Sequence, residues 1–296
     1  MVLYPASLTN LNFNQMKRIV NKVTLIVALF SLLSCEKEIN LNLKTGTPDL
    51  VVEGNILYGL DTTITIQEIQ LTQTTNYLGN SKPNPVINAT VKVIEGNNTY
   101  NFTHSGNGIY RSSFVAGLNK TYQLVINHEG DTYEARERIR SGPAIEKIDA
   151  KFFPGAFGDP GGDFLTLTTT DPANETNFYF WRLFINNKFM ITATPGNRYR
   201  SIQKDEFFNG QKLIDYLPSD EFPVVAGDTA QLQQLNISEQ MYNYLSAIFN
   251  LTAGSSVSGD VPPGKILGNV INVTRPNKSA LGYFGACSIS IKTKKV

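Results

Sequence analysis

A mainly all-β protein of two sandwich-like domains, immunoglobulin-like or transthyretin-like, with one amphipathic helix in the second, is the fold that three observations predict. Short runs of alternating apolar and polar residues recur along the chain; Gly, Asn, Asp and Pro separate them; and long helical periodicity is almost absent.

Leu50-Val51-Val52-Glu53-Gly54 and Thr63-Ile64-Thr65-Ile66 read as the opening strands. Thr90 to Ile94 and Thr99 to Thr103, joined at Glu95-Gly96-Asn97-Asn98, predict a hairpin, because a Gly-Asn turn reverses two alternating runs. Tyr122, Leu124 and Ile126 alternate with Thr121, Gln123 and Val125, and Glu129-Gly130 turns the chain into Thr132 to Arg136. These strands fill a first sandwich over residues 50–141.

Ser141-Gly142-Pro143 interrupts the ladder and predicts a boundary, with the second domain at 142–296. Phe164 to Thr168 is a further strand. Phe178 to Ile185 is apolar at nearly every position, which predicts a central strand covered on both faces, with Trp181 as a core anchor. A helix over about 238–250 follows from Ser238 as N-cap and the stripe Met241, Tyr242, Leu245, Ile248 and Phe249, which reads as packing on the second sandwich. Val261-Pro262-Pro263-Gly264 is a rigid connector, and Leu281 to Lys292 the closing strand.

The 296 residues carry 26 Lys and Arg against 25 Asp and Glu, so the chain lacks the basic excess of a nucleic-acid binder. With 41% hydrophobic residues it is not a disordered chain. Two Cys make no disulfide framework, and two widely spaced His make no typical zinc site.

Residues 1–34 contain Lys17, Arg18 and Lys22, no acid, and the apolar run Val23 to Phe30, the pattern of a secretory signal peptide. Met16-Lys17-Arg18 begins such a peptide normally, so translation is expected to start at Met16. The run is roughly half the ~20 residues a membrane-spanning helix needs. Leu32-Leu33-Ser34-Cys35 resembles a bacterial lipoprotein box, which makes Cys35 the expected lipidation site and mature N-terminus. Three acyl chains hold a protein at a membrane almost permanently, where one chain holds it marginally. Removal of residues 1–34 leaves 23 basic and 25 acidic residues, a formal balance of −2. Glu36-Lys37-Glu38 resembles a surface-export signal of lipoproteins, the alternative being a solvated tether; the tether, residues 35–49, reaches at most about 50 Å.

Catalytic signatures are missing: the chain has no GxSxG, HExxH, GxxxxGK[ST], GxGxxG or CxxC. His104 and His128 adjoin turns and read as solvated. Cys287, in an apolar run, reads as a small core residue. Carboxylates on distant strands remain the main route to an enzyme, because such pairs leave no local motif. Asp159 and Asp163 flank a Gly-rich turn and form a weak candidate calcium loop, an ordinary turn being the simpler reading. No metal or cofactor is assigned. Phe152, Phe153 and Phe157 form a candidate aromatic binding patch, although burial between the domains is the favoured alternative. Asp61-Thr62-Thr63 and Asp228-Thr229-Ala230 resemble bacterial O-glycosylation acceptors at Thr62 and Thr229, plain turns or strand starts otherwise.

Several of these pieces together resemble one family. Cys35-Glu36, Leu50 to Gly54, Tyr179-Phe180-Trp181-Arg182 with Asn186, Gly227-Asp228-Thr229, Tyr242-Asn243-Tyr244-Leu245 and Ala280-Leu281-Gly282-Tyr283-Phe284-Gly285-Ala286 are similar to the Bacteroidetes lipoprotein family called domain of unknown function 4249. The resemblance covers nearly the whole mature chain, and its closing run is the most specific piece. Asn55 stands where that family often has Trp. The resemblance implies a cell-envelope lipoprotein, commonly associated with TonB-dependent outer-membrane transporters, and supplies no catalytic residues.

The expected protein is therefore an outer-membrane lipoprotein facing the cell exterior, a non-enzymatic accessory to such a transporter in ligand capture or assembly. The alternatives are a surface hydrolase of glycans or peptides and a structural or adhesive envelope protein. No nucleic-acid partner is expected.

Overall fold

The computed structural model describes residues 47–75, 82–155, 161–191, 199–251, 264–278 and 280–296. Within residues 1–46 it describes only Lys17, Arg18, Asn21, Lys22 and Thr24, all helical and exposed. Cys35, most of the tether, Phe157, Asp159, Pro262 and Pro263 lie outside the described residues.

In chain order the first strands are β1 (Leu50–Gly59), β2 (Ile66–Gln73), β3 (Asn84–Pro85), β4 (Thr90–Glu95), β5 (Asn98–His104), β6 (Ile109–Ser113), β7 (Thr121–His128) and β8 (Asp131–Arg138). There follow β9 (Lys147–Pro154), β10 (Gly161–Thr170), β11 (Phe178–Ile185), β12 (Lys188–Phe189), β13 (Ile202–Lys204), β14 (Lys212–Tyr216) and β15 (Thr229–Asn236). Helix α1 (Glu239–Leu251), β16 (Ile271–Asn272) and β17 (Leu281–Lys295) complete the chain. The all-β class and a helix after Ser238 in the second half are as the patterning predicts.

The first sandwich forms because β5 changes layers. Its body pairs with β4, while Thr103 and His104 pair with Arg111 and Tyr110 of β6. The layer β1-β2-β6 thereby folds over β4-β7-β8, and Val52, Ile56, Ile69 and Leu71 meet Val93, Tyr122, Leu124 and Ile126 in one core. In the second half the sheet β14-β10-β9 places Leu165 and Leu167 against Trp181, Leu183 and Leu232 of β11 and β15. Helix α1 covers the other face, where Met241 packs with Phe178, Leu235, Tyr283 and Cys287. β11 is thus covered on both sides, as a run apolar at nearly every position requires. Ser238 caps the helix by accepting the Met241 N–H at 3.1 Å.

The expected boundary at Ser141-Gly142-Pro143 is crossed by the sheet. β17 pairs in parallel with β1 through Leu281 to Ile289 and antiparallel with β15 through Ser288 to Lys295, and residues 47–296 form one compact unit. Local punctuation marks where the first sandwich ends, but the closing strand joins both cores into one ladder. β17 can do so because both its faces are buried: Phe284 and Ala286 enter the first core, Tyr283, Cys287 and Ile289 the core under α1.

Candidate functional site

The strongest polar cluster lies where the chain returns from α1 to the end of the first sandwich. Asp131 opens β8 and its side chain is fully buried. Arg275 grips both its oxygens through Nε and Nη2, the latter at 2.6 Å; Lys278 Nζ lies at 3.3 Å, and the Tyr133 hydroxyl donates at 3.2 Å. The Arg275 guanidinium holds the Asp131 carboxyl well below the ordinary carboxylate range, against the opposing effect of burial. Burial and the neighbouring Asp131 push the Tyr133 hydroxyl up to about 12.

Local geometry presents Arg275 to this site. Asn272 Oδ1 accepts the N–H groups of Thr274 and Arg275 at 3.0 and 2.7 Å, an Asx turn that swings the chain back over β8. Asn269 brackets Phe284, donating to its carbonyl at 2.8 Å and accepting its N–H at 2.9 Å. Lys265 pairs with Asp49 at the start of the folded unit. The segment 264–278 is therefore fastened at three points.

Beside the clamp opens an apolar cleft of about 480 Å³ whose walls include Leu267, Val270, Ile271, Val273 and Pro276, with Lys278 at its polar side. Leu267, Ile271 and Val273 stand 59%, 62% and 45% exposed. A second groove of about 290 Å³ shares Leu267 and Gly268 and runs against Gln240, Asn243 and Tyr244 of α1. Apolar walls beside an ion pair that is already satisfied suit binding; a carboxylate locked by two cations does not take or give protons near neutral pH.

The other sequence-predicted residues are dispersed. Phe152 is 65% exposed, not buried between domains, whereas Phe153 packs edge-on against Phe164 at 6.2 Å. Thr62 and Thr229 are exposed, and the Asp before each has a structural task. Asp61 accepts from Ser290 Oγ at 2.7 Å and the Ile291 N–H at 3.0 Å; Asp228 accepts from Asn186 Nδ2 at 2.7 Å and the Val225 N–H at 2.9 Å. Asp163 is exposed.

His104 tilts against Tyr110 at 5.3 Å. The reading of His128 as solvated is corrected: its side chain is 6% exposed because it ends β7 opposite Asp131, its nearest acid is Glu129 at 3.7 Å, and among the described residues neither ring nitrogen has a hydrogen-bond partner. Cys287 is buried as expected.

Sequence reasoning missed the clamp, because Asp131, just after the Glu129-Gly130 turn, lies 144 residues from Arg275. One signal was present: residues 264–278 hold Lys265, Arg275 and Lys278 with no acid, interleaved with Leu267, Ile271 and Val273.

Buried carboxylates elsewhere are committed to the backbone. Asp171 accepts from the Tyr179 hydroxyl and from the Gly210 N–H at 2.9 Å, and Asp205 accepts the Asn177 N–H at 2.7 Å. Burial raises the Asp171 carboxyl, yet these bonds staple loops. Among the described residues no three His, Cys, Asp or Glu side chains converge on a metal position, and no helix is long and apolar enough to cross a membrane.

Fold and site define a β-rich body with an ion-clamped apolar cleft at one end. The model of the family described as domain of unknown function DUF4249 matches residues 36–293. The chain belongs to that family. No curated protein matches it.

Proposed function

We propose that this chain is an outer-membrane lipoprotein, held by acyl chains on Cys35, facing the cell exterior and serving a TonB-dependent transporter as a non-enzymatic accessory in ligand capture or assembly. The observation that carries the reading is a coincidence of boundaries. The family match begins at Glu36, one residue after the Cys of the lipoprotein box, and the compact unit begins at Thr47. A leader that is cut off, a short tether and a folded body account for those limits. The commitment of Asp131, Asp171 and Asp205 to cations and backbone donors favours binding over hydrolysis.

The test is metabolic labelling with a fatty acid, together with fractionation of wild type and Cys35→Ala. Label incorporation and membrane pelleting that are both lost in the variant support the anchor; unchanged pelleting overturns it. Affinity purification from solubilised envelopes tests the partner: enrichment of a β-barrel transporter is expected, and its absence under mild detergent removes that part of the reading.

A further inference from the structure

We propose that the ridge of Leu267, Ile271 and Val273 docks this body onto the lipid surface itself, its side chains entering the boundary between headgroups and acyl chains. The inference rests on the anchor reading of Cys35 and adds a second, non-covalent contact made by the folded unit. The three aliphatic side chains share one cleft and are about half exposed. Such a patch on a folded surface marks a place of contact.

Its position points to lipid. Asp49, at the root of the tether, is paired with Lys265, two residues before Leu267. The path from Cys35 to Asp49 is at most about 50 Å, so the ridge lies within reach of whatever membrane holds the acyl chains. Charge is balanced rather than repulsive at the ridge: Lys265, Arg275 and Lys278 are met by Asp49, Asp131 and Glu129, the last acting on Arg275, so the apolar side chains carry the contact. Lys265 and Arg275 are 62% and 56% exposed, and their stems can lie along the ridge. The Asn269 bracket and the Asp131 clamp hold the segment in place, so little ordering is needed on docking.

The test uses full-length, lipidated protein carrying Ile271→Cys, with Val273→Cys as a second site and Asn97→Cys in the β4–β5 turn as control, each labelled with an environment-sensitive dye. Cys287 is buried and does not compete for the dye. In vesicles of phosphatidylethanolamine and phosphatidylglycerol containing acyl-brominated lipid, quenching at positions 271 and 273 is expected to exceed that at 97 several-fold. Adding Leu267→Asp should bring it down to the control level while vesicle flotation persists. Flotation with equal quenching at all three sites overturns the docking and leaves the anchor standing. Loss of flotation in the labelled wild-type background overturns the anchor and, with it, this inference. A label at 271 untouched by brominated lipid but shielded from iodide in native envelopes assigns the ridge to a protein partner and also overturns the proposal.

Discussion

Val52 and Gly282 are ladder partners in the parallel pairing of β1 with β17, although 230 residues separate them. Gly282 holds φ at +85°, and a Cβ there would lie 2.0 Å from the Val52 carbonyl oxygen. The runs Leu50 to Gly54 and Leu281 to Ala286, which carry much of the family resemblance, are therefore one structural unit. Asn55, the departure from the family pattern, pairs with Gly285, where a Cβ would lie 2.0 Å from Asn55 Oδ1.

Gly282→Ala is expected to destabilise the fold by at least about 3 kcal/mol, since a left-handed backbone and a backbone collision act together. Gly96→Ala is the control. Gly96 also has positive φ, but nothing lies within 4 Å of the added Cβ, so about 1 kcal/mol is expected from strain alone. Urea unfolding of both variants checks the difference; equal losses would remove the close approach as the cause.

The Asp131 clamp yields a pH dependence. Its carboxyl is depressed in the folded state, so the ionised group contributes stability that is present above the unfolded value of 3.8 and is lost as pH falls from there toward the folded value. Asp131→Asn should lower the urea midpoint at neutral pH by several times the effect of Glu68→Gln, because the Glu68–Arg111 pair is exposed at both ends. The gap between wild type and Asp131→Asn should narrow steadily below about pH 4. A gap that is constant from neutral to acid pH would mean that the carboxylate's charge contributes nothing.

Much of this architecture was legible in local pattern. The β4–β5 hairpin follows from Glu95-Gly96-Asn97-Asn98, the buried β11 from its nearly continuous apolar run, and α1 from Ser238 and a stripe with helical spacing. What local pattern does not carry is pairing between distant segments. The β1–β17 ladder and the Asp131–Arg275 clamp each join parts of the chain more than a hundred residues apart, and even the acid-free basic run around Arg275 does not say which carboxylate it meets. His128 shows the same limit. Its position before Glu129-Gly130 marks a turn correctly, yet burial there comes from strand β8 folding back to place Asp131 opposite it.

Trp181, the only Trp of the chain, is fully buried; it stacks on Tyr179 at 5.4 Å and donates its Nε1–H to Gln234 Oε1 at 2.9 Å. Gln234 in turn donates to the Pro143 carbonyl at 2.8 Å, tying the second core to the segment after the first sandwich. Trp181→Phe removes volume and leaves the Gln234 oxygen without its donor, for an expected loss of about 2–3 kcal/mol. Gln234→Leu removes the donor to the Pro143 carbonyl in either background, but it should cost less in the Trp181→Phe background than in wild type, because there the Gln234 oxygen has already lost its indole donor. Denaturation of the single and double variants, followed by circular dichroism, measures the coupling; strictly additive losses would show that the bond carries none of the stability.

Cys287 joins the buried chemistry to the anchor. Burial pushes its thiol up to about 12, and its Sγ lies 3.8 Å from Asn55 Oδ1 and 3.9 Å from Met241 Sδ, inside the core under α1. A thiol that stays protonated and enclosed does not attack a disulfide reagent, because the thiolate is the nucleophile. The native protein should show no titratable thiol on the timescale of minutes. After unfolding in denaturant, the mature lipidated chain should show one thiol, from Cys287, since the Cys35 sulfur is a thioether in the acylated form. Two thiols from membrane-purified protein would mean that Cys35 is unmodified and would sink the anchor. One thiol that reacts before unfolding would mean instead that the α1 core opens, which hydrogen exchange across Met241 to Phe249 would detect as rapid loss of protection.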